Sequence, residues 1–274
     1  MQSEPFWTFL RLKNRYWVVK VQVFSVESCV ELIEKGLFRE ALNCARNGIK
    51  INADNATNWY NAGYILWELG QHHAAIEHCQ QALDRNPSLA HAWNILGNAF
   101  DNLGEIDRAL EAYEQAIKVD DQYHEAWNGR GLILKARGHY QEALESFEKA
   151  IRLAEKYGRG WYNKGMLLFD MGRHDESIEC FEAALNINAN YLGAAQAMGV
   201  VYLKLHQYDA AINSLKKAIV TNPVDADAWC ALGAAQLKQG DTANALISTQ
   251  KALEVNPEHR SALSNLKSIQ RVMR

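Results

Sequence analysis

The chain has 274 residues, 48% of them hydrophobic and 22% charged, the proportions of a folded soluble protein and not of a disordered or fibrous one. A net charge of −3 supplies no long-range electrostatic reason to bind nucleic acid. Only four prolines occur, which suits a nearly all-helical chain, because Pro breaks helix interiors.

Residues 1–24 are rich in aromatics (Phe6, Trp7, Phe9, Tyr16, Trp17, Phe24), with Arg11, Lys13, Arg15 and Lys20 between them. No apolar run approaches the roughly 20 residues of a spanning helix, and no apolar core with a small-residue cleavage site marks a secretory signal. Three readings stand: a cap on the rest of the chain, a disordered leader, or a segment lying on a membrane surface. The five cysteines, Cys29, Cys44, Cys79, Cys180 and Cys230, are scattered. An odd number without a C-x-x-C pair argues against a disulfide framework and against a zinc site. A reducing, cytoplasmic compartment is therefore expected.

From Trp59 to Pro87 the chain reads W-Y-N-A-G-Y-I-L-W-E-L-G and then Q-H-H-A-A-I-E-H-C-Q-Q-A-L-D-R-N-P. The same signature returns at Trp93, Trp127, Trp161 and Trp229, at separations that are multiples of 34. A period of this size marks an array of stacked units. Counting each unit from three residues before its Trp gives 22–55, 56–89, 90–123, 124–157, 158–191, 192–225 and 226–259 without insertion. The unit at 192 has Ala195 in place of Trp. The unit at 22 departs furthest, with Ser25 for the Trp and Cys29 for the following Gly.

Each unit divides into two helices. In the copy at 90, Trp93, Leu96, Ala99, Phe100 and Leu103 share one face of a first helix over about 90–103. Gly104 ends it, because glycine tolerates the left-handed C-cap. Ile106, Ala109, Leu110, Tyr113, Ala116 and Ile117 face inward from a second helix over about 106–119. Neither face can be buried alone, so units must stack in series. Gly63, Gly97, Gly131, Gly165, Gly199 and Gly233 recur at the eighth place. Since a mid-helix Gly costs about 0.5–1 kcal/mol, they predict an approach too close for a Cβ. The small residue at the twentieth place, Ala75 or Ala109 for example, is the expected partner. Residues 260–274 carry Leu263, Leu266, Ile269 and Val272 at helical spacing, as a solvating terminal helix would.

Large residue, Gly, Gly, Ala, aromatic, Ala and Pro in fixed register resemble the tetratricopeptide repeat, from residue 22 to the C-terminus. The resemblance implies an all-α fold, a right-handed superhelical solenoid of antiparallel helix pairs, with first helices lining a concave groove. It implies ligand contacts at the second, fifth, ninth, twelfth and thirteenth places of the first helices. Those places hold Tyr60, Tyr64 and Trp67 in one unit and Tyr162, Met166 and Phe169 in another. Each trio forms one helical stripe, and aromatics are enriched in binding hot spots. Between them lie Asn94, Asn98 and Asp101, then Asn128, Leu132 and Lys135. Side-chain amides both donate and accept, so they suit an extended peptide backbone. Asn61 and Asn163, at the sixth place, resemble part of the asparagine ladder of O-linked N-acetylglucosamine transferase, although Ile95, Gly129, Ala197 and Ala231 interrupt it. The Lys/Asn clamp that captures chaperone C-termini is not assembled by any three consecutive units. Val26, Val30 and Ile33 make the groove of the first unit apolar, and residues 1–21 offer a cover for it.

No phosphate loop and no H-E-x-x-H motif occurs, and nothing brackets a Ser-His-Asp triad. His139, His174 and His206 fall at inter-helix turns, and Asp120 and Asp121 at a seam. The sequence thus predicts a non-enzymatic scaffold for protein–protein interaction, binding a peptide or partner helix, with no cofactor, no metal and no nucleic acid. Two alternatives come from other classes: the substrate-recognition arm of an enzyme such as a glycosyltransferase, and an assembly factor held at a membrane by its leader.

Overall fold

A computed structural model describes residues 26–191 and 193–274; the leader, residues 1–21, lies outside the described residues, as does the cover it was expected to provide. The described chain is helical throughout. In order the helices are α1 (Val26–Glu34), α2 (Phe38–Ile51), α3 (Ala56–Glu68), α4 (His72–Arg85), α5 (Ala90–Asn102), α6 (Ile106–Val119), α7 (His124–Ala136) and α8 (Tyr140–Leu153). Next come α9 (Gly158–Asp170), α10 (His174–Ile187), α11 (Ala194–Lys204), α12 (Tyr208–Thr221), α13 (Ala226–Gln239), α14 (Thr242–Val255) and α15 (Arg260–Val272). The helices expected near 90–103 and 106–119 are α5 and α6, within a residue at each end.

Two compact units result, divided between Leu134 and Lys135. In each unit a first helix packs on the second helix of its own pair, and that second helix packs on the next first helix: α3 on α4 and α4 on α5, or α11 on α12 and α12 on α13. Apolar faces are therefore consumed in series. Ile65, Leu66, Cys79, Ala82, Ile95, Ala109 and Tyr113 form one continuous core of the first unit. In the second, Phe147, Leu167, Leu168, Phe181, Leu215 and Ile269 are among the fully buried side chains.

Local chemistry punctuates the series. Gly70 and Gly104 close α3 and α5 with φ of +72° and +75°, a conformation that costs a residue with a Cβ about 1–2 kcal/mol. At the corresponding turn after α11 the chain uses His206 at φ 59°. Five of the seams are built alike. An Asn or Asp side chain (Asn52, Asn86, Asp120, Asn188, Asn256) accepts from the backbone N–H two residues on, at 3.0–3.1 Å. Asp120, at one of these seams, is thus a turn-forming residue.

The close approach at the eighth place is present, but its partner differs from expectation. A Cβ on Gly63, Gly97, Gly165, Gly199 or Gly233 would meet the side chain of Cys79, Tyr113, Phe181, Leu215 or Thr249 at 2.5–2.7 Å. These stand at the twenty-fourth place, one helical turn beyond the recurrent small residue. The twentieth-place residue contributes backbone: the Ala75 and Ala245 carbonyls lie 3.3 and 3.2 Å from the same Cβ positions. A small residue is needed there so that the two backbones can close, and the bulk comes from the next turn.

The cysteine reading is overturned at one point. Cys29, standing where other units have Gly, forms a disulfide with Cys44, with Cα atoms 5.6 Å apart. That distance lies within the usual range for a bridge because the helices are closest at this place. Cys79, Cys180 and Cys230 are free and buried. Cysteine usage therefore no longer points to a reducing compartment.

Candidate functional site

The candidate contacts fall on first helices, and the two units present them differently. In the first unit, Tyr60, Tyr64 and Trp67 on α3 are each half-buried. Tyr64 and Trp67 pack at 6.1 Å between ring centroids, and Tyr60 meets the edge of the His91 ring at 6.0 Å. Burial, helped by Cys79 and Glu125, pushes the Tyr60 phenol up to about 12. Burial and a hydrogen bond to Glu68 raise Tyr64 to about 12 as well. The Trp67 indole N–H is buried without a hydrogen-bond partner.

The amides expected to suit an extended peptide backbone are largely packed. Asn61, Asn94 and Asn128 are 5%, 5% and 4% exposed, so they are set between helices and not spread over an open wall. Asn98 is half-buried, and its Oδ1 accepts from the Tyr113 hydroxyl at 2.7 Å, which commits that amide to the second helix of its own pair. Asp101, beside it on the same face of α5, has its carboxyl raised by burial. The fifth and ninth places are therefore partly structural in this unit, a role that helical spacing alone does not reveal.

In the second unit the places converge on a true groove. Tyr162, Met166 and Phe169 on α9 face Val200 and Leu203 on α11 and Ala234 on α13 around a cavity of about 480 Å³. Gln196, Asn265 and the Asp227–His259 pair add polar groups to its wall. That pair is joined at 2.9 Å, and Asn265 donates to the Cys230 carbonyl at 3.1 Å, so α15 is tied to α13 along one side. Tyr162 lies between Phe181 and Tyr191, with centroids 5.8 and 5.5 Å away, and Phe169 packs on His174 at 5.4 Å. His174 is thus half-buried against an aromatic, not a freely solvated turn residue. Lys135, expected as a polar grip, instead pairs with Asp170 at 2.9 Å. Asn163 is half-buried on α9.

Val200, Leu203 and Ala234 did not stand out in the sequence because each is an ordinary apolar residue at its place. The signal available was their register: they occupy the same ninth and twelfth places as Met166 and Phe169. Among the described residues no group of three or more His, Cys, Asp or Glu side chains could hold a metal. No described helix is long and apolar enough to cross a membrane.

Tetratricopeptide repeat family models match residues 54–122 and 158–219, 96–158 and 226–259, and a TPR repeat model matches 199–240. A search of curated protein sequences finds no match. Among solved structures, the APC/C hetero-tetramer Cut9–Hcn1 aligns with a TM-score of 0.77 at 19% identity, over 92% of this chain and 50% of that one. This chain therefore spans about half the length of that relative. YrrB, described as a TPR protein with an unusual peptide-binding site, aligns at 0.57 and 25% identity, over 70% of this chain and 99% of its own. PilF of Pseudomonas aeruginosa aligns at 0.70 and 20% identity, over 80% and 98%. Models of one repeat type thus tile the chain from residue 54 to 259, the solved relatives share its serial helix pairs, and the chain belongs to the tetratricopeptide repeat family.

Proposed function

We propose that the protein is a non-enzymatic interaction scaffold that takes a peptide or partner helix in the grooves lined by its first helices. The observation that carries this reading is the groove of about 480 Å³ in the second unit, where Tyr162, Met166 and Phe169 meet Val200, Leu203 and Ala234. An amphipathic helix presents apolar residues at three- and four-residue spacing, which suits a groove of this kind. Gln196 and Asn265 at the wall add groups that can donate to or accept from a backbone. The likeness to YrrB, with its peptide-binding site, agrees with this use. Tyr60, Tyr64 and Trp67 form the corresponding candidate surface of the first unit.

The test is selection of peptides from a displayed random library on the full chain. Enriched peptides should carry apolar residues at helical spacing. Replacing Tyr162, Met166 and Phe169 together with Ala should weaken their binding by about tenfold or more, as loss of hot-spot side chains does, with helicity unchanged by circular dichroism. The Tyr60/Tyr64/Trp67 triple variant reports on the other surface. Absence of selective enrichment, or full binding by both folded variants, would refute the proposal.

A further inference from the structure

Five first helices carry Trp at the fourth place, and each indole does the same thing. Trp59, Trp93, Trp127, Trp161 and Trp229 donate Nε1–H to the backbone carbonyl six residues earlier. The acceptors are Ala53, Pro87, Asp121, Glu155 and Pro223, at 2.7, 3.0, 2.9, 3.0 and 2.9 Å. The ring is held along the seam between pairs: Trp161 packs on the cluster containing Ala184. On Trp59 the Arg85 guanidinium sits 4.6 Å from the ring centroid.

The repeat that begins at 192 has Ala195 at this place. There the structure has a cavity of about 520 Å³, lined among others by Leu185, Ala189, Ala195, Lys217, Ala218 and Thr221. Its walls are those of a tryptophan seat. Ala189 stands six residues before Ala195, where the other five repeats present the acceptor carbonyl. Ala218 is in register with Ala184, and Thr221 with Arg85. The helix reflects the change too: α11 starts only at Ala194, after Gly193 at φ +88°, and runs 11 residues where α9 runs 13. The cavity lies within the usual range for small-ligand sites, about 300–1,000 Å³.

We infer that this cavity is a binding site for an indole ring, free or carried by a tryptophan residue, which enters the seat left by Ala195 and donates its N–H to the Ala189 carbonyl. The site adjoins the groove of the proposed function, with Gln196 in the wall of both, but does not depend on that reading. The place is one that an indole occupies in five other repeats, which favours a bicyclic ring. The acceptor at its wall discriminates for a ring with an N–H, because a ring without one covers that carbonyl and gives it no partner.

Fluorine NMR of 5-fluoroindole on the full chain tests this, with indole, 1-methylindole and N-acetyl-tryptophanamide as competitors. We expect binding at millimolar concentration or below. We expect 1-methylindole to compete several-fold, up to about 10-fold, less well than indole, the scale of one lost hydrogen bond. Ala195→Trp, which places the chain's own indole in the seat, should abolish binding and raise the melting temperature. Competition by N-acetyl-tryptophanamide assigns the site to a tryptophan residue as well as to the free ring, whereas competition by indole alone assigns it to the free ring. The inference is overturned if 5-fluoroindole does not bind, if 1-methylindole competes as well as indole, or if folded Ala195→Trp still binds. Should Ala195→Trp fail to fold, the comparison of indole with 1-methylindole on the unaltered chain decides.

Discussion

Two residues show how a repeated framework makes a single side chain readable. His206 occupies the turn where the other pairs use Gly, and holds φ 59°. Its imidazole gains only an exposed contact with the Tyr208 hydroxyl at 3.0 Å. Relief of the left-handed strain outweighs the extra freedom that Gly gives the unfolded chain. His206→Gly should therefore stabilise the protein by about 0.5–1 kcal/mol, read as a higher urea midpoint with unchanged slope. Tyr60 carries a different signature. Its phenol ordinarily titrates at 10.0, and in the folded chain it is raised to about 12, chiefly by burial. A raised acid pKa means that the folded state holds the neutral form more strongly, so its contribution is full below pH 10 and is lost as pH climbs toward 12. Tyr64 and the Cys79 thiol are shifted the same way. Tyr60→Phe should make stability fall less steeply between pH 10 and 12, measured by denaturant unfolding across that range. An unchanged slope would show that Tyr60 is not protonated preferentially in the fold.

At the level of helices, the decisive contact is between the eighth place of a first helix and the twenty-fourth place of its partner. Periodicity in the sequence predicts the close approach, because glycine at a fixed mid-helix place needs a reason. It does not name the neighbour, since one helical turn separates the small residue at the twentieth place from the large one at the twenty-fourth. Gly165→Ala gains about 0.5–1 kcal/mol in helix propensity but drives a Cβ to 2.7 Å from the Phe181 ring. Phe181 is fully buried, so the ring cannot swing away, and overpacking at about 1–3 kcal/mol prevails. The net change should be a loss of about 1–2 kcal/mol. Gly158→Ala is the counterpart: its Cβ would lie 3.4 Å from the nearest atom, on the Tyr191 ring, and thermal unfolding should show no loss.

For the molecule as a series of pairs, stability is a sum of local terms and interfaces between neighbours. The Cys29–Cys44 bridge closes a loop of sequence separation 15 between α1 and α2, for which the chain-entropy account gives about 3 kcal/mol. This link ties the described part of α1 to α2 covalently. Reduction with a dithiol should accelerate amide hydrogen exchange in α1 and α2 while leaving α11 to α14 protected. Uniform loss of protection along the chain, or none in the first pair, would contradict this. The groove and the tryptophan seat belong to the second unit and should survive reduction.

The sequence by itself determined the helix pairs, their order and the family, because a 34-residue period leaves one way to bury each apolar face. It also put Tyr162, Met166 and Phe169 on one stripe of a first helix, and in the structure all three line a cavity. Only the tertiary structure decided which polar candidates are occupied by the fold: Asn98 by Tyr113, Lys135 by Asp170, and Asn94 and Asn128 by burial. It alone joined Cys29 to Cys44 and left a cavity beside Ala195. Period specifies what each helix must cover, whereas pairing and vacant volume depend on which atoms of neighbouring helices meet.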